Sequence, residues 1–294
     1  MVSISRRNWL LVWVGVELSF LGLIPLILVG NKYIRVRKES TLKYFCIQAL
    51  RSAVLFFSGI LYYLDFRFFS GSMFIISLCL KLGLFPGHFW VPSVLSGLEF
   101  LSVLLLLSWQ KVPPLALILS YIRLNSDSSF LVFLGGARAL LGGVIGLNIQ
   151  KVRAIIGASS ISHTGWTVIG ALTGNLWSYF TVYCVALGLG LWFVWERRLI
   201  GSLTILSLSG LPPFVLFVGK WNIVNSALSR GLSLEFLLLP ILGTVLRLGY
   251  YLKFFYSYYL NGSMNSAGWG LPLVLMNFIG ICWLGLFFGD RIRW

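Results

Sequence analysis

The chain has 294 residues, of which 58% are hydrophobic and 11% charged, with a mean hydropathy of +0.90. A soluble domain carries about a quarter charged residues, so this composition excludes an ordinary water-soluble fold and specifies a polytopic membrane protein. The formal net charge of +15 does not make the chain a nucleic-acid binder, because its Lys and Arg are divided between short loops and membrane depth instead of forming one solvated basic face.

Only helices or closed barrels satisfy their backbone in lipid, and barrel strands read as alternating segments of about 10 residues, whereas these apolar runs last about 20. The expectation is an all-α transmembrane bundle, a single domain over residues 1–294, with spans at 9–30, 42–63, 71–91, 94–123, 130–150, 155–174, 176–195, 199–229, 234–258 and 269–289. That is about ten crossings. Arg6 and Arg7 flank the first span with no cleavable signal or transit peptide before them, so insertion without a leader is expected.

The first span carries Glu17 in Trp13-Val14-Gly15-Val16-Glu17-Leu18. Burial alone favours a neutral acid, whereas a lysine at about 4 Å and an effective dielectric near 20 gains about 4 kcal/mol as an ion pair. In the third span, Lys81 lies between Leu80 and Leu82 with Pro86 further on. A charge near the bilayer centre costs about 3 kcal/mol on insertion scales, so such a residue faces protein or water. The fourth span holds Lys111 beside Pro113-Pro114, and the eighth holds Leu211-Pro212-Pro213 followed by Lys220. Internal prolines predict helices broken where backbone lines a cavity.

Lysine suits proton exchange, since it deprotonates when desolvated and arginine does not. Lys81 and Lys111, read as more than about 15 Å from either end of their spans, point to function over snorkelling. Lys220 is nearer an end and both readings stay open, while Lys253 among aromatics near a span end reads as snorkelling. The fifth span's Gly135-Gly136, Gly142-Gly143 and Gly146 suggest close helix packing.

His88 and His163 are either proton relays or neutral histidines satisfied by a hydrogen bond. Ser159, Ser160, Ser162 and Thr164 around His163 either hold a water chain or bond back to helix carbonyls. Cys46, Cys79, Cys184 and Cys282 lie in apolar runs without metal or disulfide spacing and read as buried, inert thiols. No nucleophile–base set, phosphate loop, dinucleotide fingerprint or metal cluster appears in the sequence. One side of the membrane carries the denser basic set, from Lys32 to Lys43 with Lys151, Arg153, Arg197 and Arg198, which places that side inside and both termini outside.

Taken together, Trp13–Leu18, Lys43-Tyr44-Phe45-Cys46-Ile47-Gln48-Ala49, Lys81-Leu82-Gly83-Leu84-Phe85-Pro86-Gly87-His88-Phe89-Trp90-Val91-Pro92, Trp109-Gln110-Lys111-Val112-Pro113, Ser159-Ser160-Ile161-Ser162-His163-Thr164-Gly165-Trp166 and Leu206-Ser207-Leu208-Ser209-Gly210-Leu211-Pro212-Pro213 with Lys220-Trp221 resemble, in order, subunit 2 of mitochondrial NADH:ubiquinone oxidoreductase, respiratory complex I. The resemblance implies an antiporter-like subunit with discontinuous helices in the mitochondrial inner membrane, moving protons while redox chemistry proceeds in other subunits. It maps the proton-transfer residues onto Glu17, Lys81, Lys111 and Lys220, with Glu17 paired to Lys81, and leaves His163 as a relay candidate. It implies no cofactor in this chain, with FMN, iron–sulfur clusters and ubiquinone in other subunits. The partners it implies are the other complex I subunits, neighbouring antiporter-like ones among them, together with lipids such as cardiolipin and no nucleic acid. Both termini are expected on the intermembrane-space side.

Departures from the family pattern include an amino terminus close to the glutamate helix, Ser93 in place of an acid, and Ala154 in place of a lysine, with Lys151 one turn earlier. Arg51, Arg138 and Arg247 also stand where neutral residues are expected. Arg51 and Arg138 are read as contacting lipid headgroups or neighbouring subunits, and Arg247 has no reading. The rival readings are a free-standing cation/proton antiporter and a purely structural subunit.

Overall fold

Runs of apolar residues broken by glycine and proline fold as helices throughout the described part of the chain. The computed structural model describes residues 9–28, 34–84, 87–124, 129–196, 198–212, 214–232 and 234–261. Its helices are α1 (Trp9–Leu28), α2 (Ile34–Tyr63), α3 (Arg67–Leu82), α4 (Trp90–Leu95), α5 (Phe100–Leu107), α6 (Val112–Leu124), α7 (Ser129–Leu147), α8 (Val152–Thr173), α9 (Leu176–Glu196), α10 (Arg198–Ser207), α11 (Val215–Ser229) and α12 (Leu234–Asn261). Among the described residues there is no strand.

Five helical stretches are long and apolar enough to cross a membrane: Trp9–Leu28, Arg35–Tyr63, Phe100–Arg123, Leu176–Val194 and Leu234–Ser257. Phe68–Leu82 and Leu131–Leu147 are shorter apolar helices. The count of about ten spans is therefore not reproduced on these grounds, and the expected tenth span, 269–289, lies outside the described residues. The second helix begins well before residue 42, because the basic run from Arg35 to Lys43 is helical. Within that run Arg37 pairs with Glu99, at the amino end of α5, so it is a buried tie between helices and not a loop charge.

The expected third span divides. Helix α3 stops at Leu82, where Gly83 adopts a left-handed φ of 70° that a side-chain-bearing residue rarely takes, and the next helix among the described residues starts at Trp90. The fourth breaks at Ser108 and a 3-10 turn, Trp109–Lys111. Pro113 and Pro114 lie just downstream, in the first turn of α6, where a missing N–H costs little. The eighth breaks between α10, which ends at Ser207, and α11, which starts at Val215, with Leu211 and Pro212 outside both helices.

Helix α8 is the centre of the bundle, with every residue from Ala154 to Thr173 buried. Its hydroxyls and histidine keep it out of the apolar set above, but it needs no lipid-compatible face because protein surrounds it. Glycines bring α7 against both α8 and α12. A Cβ on Gly142 would lie 2.6 Å from the Ser162 nitrogen and 2.8 Å from the Ala158 oxygen, and one on Gly143 would lie 2.9 Å from the Gly243 oxygen. Small residues allow such backbone approach in membranes, where helix association depends on van der Waals fit.

Gly142→Ala is expected to separate α7 from α8 at a cost of about 1–3 kcal/mol, the usual range for overpacking. The check is the thermal unfolding midpoint of the detergent-solubilised protein. A parental midpoint contradicts the close approach.

Candidate functional site

A helix satisfies its own carbonyls except at its ends, so each helix break in a buried bundle leaves oxygens that can receive a cation. All three candidate lysines stand at such breaks. Lys81 is in the last turn of α3, one residue before its end, rather than deep in a continuous span. The sequence reading placed the interruption at Pro86, whereas the Gly83 N–H turns back onto the Leu80 oxygen at 3.0 Å and closes the helix earlier. The Lys81 Nζ is buried and donates no hydrogen bond to protein.

Lys111 ends the 3-10 turn and is likewise not mid-helix. Its buried Nζ donates to the Ser160 oxygen of α8 at 3.3 Å and lies 5.5 Å from the centre of the Tyr183 ring. Lys220, in the second turn of α11, is buried and donates to the Ser209 oxygen at 2.6 Å, inside the α10–α11 break. Of the two readings open for Lys220, the structure selects burial over snorkelling. Lys253 is exposed, in keeping with a snorkelling residue.

His163 lies between the second and third lysines. Its Nε2 is 3.1 Å from the Leu208 oxygen, next to the Ser209 carbonyl that receives Lys220, and its Nδ1 is 2.8 Å from the Tyr179 hydroxyl. A carbonyl accepts only, so Nε2 carries the proton and a neutral Nδ1 accepts from Tyr179. The histidine ring is 4.7 Å from the ring of Tyr183, on which Lys111 also rests. His163 is thus both hydrogen-bonded and on the line from Lys111 to Lys220.

Of the surrounding hydroxyls, Ser159 and Ser160 bond back to the carbonyls of Ile156 and Gly157, at 2.8 and 2.7 Å, while Ser162 crosses to the Ala139 oxygen of α7 at 2.8 Å.

Between Lys81 and Lys111 lies a small cavity, lined also by Gln48, Gln110, Arg138 and Ser160, with room for a water or two. An adjoining one is lined by Val16, Ser19 and Phe20 of α1 with Gln48, Lys81 and Gln110. The Gln110 side chain donates to the Ser19 oxygen at 2.6 Å, tying the glutamate helix to the Lys111 turn. Half-buried Glu17 and the Lys81 ammonium are not in direct ion-pair contact in this conformation. Polar space lined by residues of α1 and by Lys81 lies beside it.

Two arginine expectations are overturned. Arg51 and Arg138 are each 1% exposed and so reach neither lipid headgroups nor a neighbouring subunit. For Arg138 the reason is that α7 is apolar on most sides, so its sequence does not say which face turns inward. Arg51 stacks on Trp90, its guanidinium carbon 4.2 Å from the ring centre. Arg138 donates from Nε to the Ile161 oxygen at 2.7 Å, and from Nη2 to the Leu82 oxygen and the Thr164 hydroxyl, both at 2.6 Å. Arg247 is fully buried without a hydrogen-bond partner, and nothing in the structure explains it.

Cys46 is exposed, not buried as expected, because it lies on the outer face of α2, while Cys79 is buried. Lys151 is exposed at the start of α8 and does not enter the core where Ala154 sits. Tyr179, Tyr183, Gln48 and Gln110 are members of the site that the sequence reading passed over. The spacing of the two tyrosines by four residues on α9, which sets both on one helix face, was the available signal.

A family model described as NADH:quinone oxidoreductase/Mrp antiporter, TM, matches residues 65–192. The NADH-ubiquinone oxidoreductase chain 2 of Albinaria caerulea is 33% identical over 268 residues, covering 90% of this chain and 87% of its own length. That of Branchiostoma floridae is 35% identical over 286 residues, covering 87% and 81%. Among solved structures, a chain of respiratory complex I from Thermus thermophilus with bound aureothin superposes with a TM-score of 0.79 at 24% identity, over 98% of this chain and 75% of that one. A chain of the Mrp complex from Dietzia sp. DQ12-45-1b gives 0.74 at 17%, over 84% and 56%. At these identities the structural likenesses establish the fold.

Gly210, at φ 72°, is where the α10–α11 break admits Lys220, since a Cβ there would lie 2.7 Å from the lysine Cε. Gly210→Ala therefore combines backbone strain of about 1–2 kcal/mol with a clash. It is expected to lower the thermal midpoint. The double variant with Lys220→Ala is expected to be less destabilised than the sum of the single changes, because truncating the lysine removes the clash. Strict additivity in this cycle contradicts the contact.

Proposed function

The chain belongs to the NADH-ubiquinone oxidoreductase chain 2 family, and from that premise we propose that it carries protons along a buried axis running from Glu17 through Lys81, Lys111 and His163 to Lys220. It is a membrane-arm subunit of complex I, involved in proton translocation across the inner membrane it spans repeatedly. Its partners are other complex I subunits.

One observation carries the residue-level reading: Lys111, His163 and Lys220 are buried and linked to one another through one aromatic ring and two adjacent main-chain carbonyls. Proton transfer needs heavy atoms within about 3.2 Å or one intervening water. The cavity shared by Lys81 and Lys111 has the space for such a water. At the far end, His163 and Lys220 bind consecutive carbonyls of one helix break. To take a proton on Nδ1 the imidazole must turn its bond with the Tyr179 hydroxyl from acceptor to donor, so Tyr179 is the point at which relay is switched.

Glu17 is the electrostatic control. When it closes on Lys81 the ammonium is favoured, and when it withdraws, as in this conformation, Lys81 is released to give its proton to the axis. Redox chemistry, with FMN, iron–sulfur clusters and ubiquinone, is assigned to other subunits. In the proposed orientation both ends of the chain face the intermembrane space, and exposed basic groups such as Lys151 and Lys253 meet lipid headgroups, cardiolipin among them.

Lys81→Met, close in length and without charge, is expected to leave the complex assembled while lowering the number of protons translocated per NADH oxidised. Lys111→Met is expected to do the same. The measurement is proton uptake against NADH oxidation in sealed vesicles of the intact complex, and a parental ratio for either variant rejects the axis.

A further inference from the structure

Arg138 has no part in the proton axis as set out above, yet it is the most connected side chain beside it. Its guanidinium is 1% exposed and lines the same cavity as Lys81 and Lys111. Arginine stays protonated in proteins, so it cannot relay, but its planar fork holds several acceptors in fixed relation.

The acceptors it holds are informative. One is the Leu82 oxygen, the carbonyl of the residue after Lys81, left without an intrahelical donor because α3 ends at Gly83. Another is the Thr164 hydroxyl, which donates in turn to the Ser160 oxygen. That oxygen is the one that receives Lys111. A third, the Ile161 oxygen, anchors the fork to α8 at 2.7 Å. A continuous set of bonds therefore runs from the end of the Lys81 helix, through Arg138 and Thr164, to the carbonyl under Lys111. A positive group at the carboxyl end of α3 also complements that helix dipole.

We propose that Arg138 is a positioning residue for proton transfer: through Leu82 on one side and Thr164 with Ser160 on the other, it fixes the placement of Lys81 and Lys111 across their shared cavity. This rests on the lysine axis proposed above. Movement of the α3 end is transmitted to the Ser160 carbonyl, and hence to Lys111, by charge-assisted hydrogen bonds that are stronger than neutral ones. The alternative is that Arg138 only staples α3, α7 and α8 together. In that case its bonds affect stability and leave coupling unchanged.

Three variants of the intact complex separate these. Thr164→Val preserves shape and leaves the Arg138 charge in place while cutting the link to Ser160. It is expected to assemble and to lower protons translocated per NADH oxidised toward the Lys81→Met value. Thr164→Ser, which keeps the hydroxyl, is expected to restore the parental ratio. Arg138→Lys keeps the charge but not the fork, and is expected to lower the ratio as Thr164→Val does. Lys81→Met measured alongside distinguishes the two levels of the reading. A parental ratio in Lys81→Met overturns the axis itself. A reduced ratio there with parental ratios in Thr164→Val and Arg138→Lys overturns the positioning role alone, whatever their thermal stability. If Arg138→Lys fails to assemble, the Thr164 pair decides.

Discussion

Everything in this fold follows from the cost of placing a fixed charge where lipid and protein exclude water. Along an α-helix each carbonyl already accepts a main-chain N–H and offers only its second lone pair, so a helix end is the better place to hold a buried ammonium. The chain meets this by interrupting helices where its lysines lie. The α10–α11 break offers Ser209 to Lys220 and Leu208 to His163, and the end of α3 offers Leu82 to Arg138. Lys111 reaches from its own 3-10 turn to Ser160, an oxygen shared with the Thr164 hydroxyl. Discontinuity and buried charge meet most directly at Lys220, whereas Lys111 takes the second lone pair of a carbonyl inside the unbroken α8.

The central helix makes the device possible. A segment with Ser159, Ser160, Ser162, His163 and Thr164 in succession is too polar to face lipid, and α8 is enclosed by other helices along its length. Enclosure in turn requires close neighbours, which the glycines of α7 supply against α8 and α12. Most of the α8 hydroxyls then spend their protons on carbonyls of their own helix, which leaves the imidazole and the lysines as the candidates for proton exchange in the proposed axis.

Much of this was legible in the sequence, and the limits have physical reasons. Length of apolar run distinguished helix from strand, and isolated lysines at membrane depth marked Lys81, Lys111 and Lys220, because the energy of a misplaced charge does not depend on tertiary detail. The location of the breaks was less legible. Proline advertises an interruption, yet Pro113 and Pro114 occupy the first turn of a new helix and the interruption precedes them at Ser108, while α3 is closed by Gly83 ahead of Pro86. A residue that tolerates helix starts points to a boundary only to within a turn. Facing was not legible for Arg138, since α7 is apolar on most sides, whereas for Arg51 the polar positions Arg37, Thr41, Tyr44, Gln48 and Arg51 recur at helical spacing on one buried face of α2 and were the available signal. Tyr183 was missed because an aromatic at helical spacing in an apolar run reads as packing, and only proximity shows it between a lysine and a histidine.

The division of labour between arginine and lysine gives the arrangement its logic. Lys81, Lys111 and Lys220 can exist neutral, so the interior tolerates them without a carboxylate for each and their charge can move. Arg51 and Arg138 cannot, and each has a fixed contact: one is stacked on Trp90, the other bonded through Nε and Nη2 to two carbonyls and a hydroxyl. Permanent positive charge beside titratable lysines disfavours their simultaneous protonation in a cavity with little water. In the proposed axis the fixed charge of Arg138, which lines the cavity between Lys81 and Lys111, opposes their being charged together. On that proposal the immobile cations shape the energy profile that the mobile ones follow, and the position of Glu17 changes it.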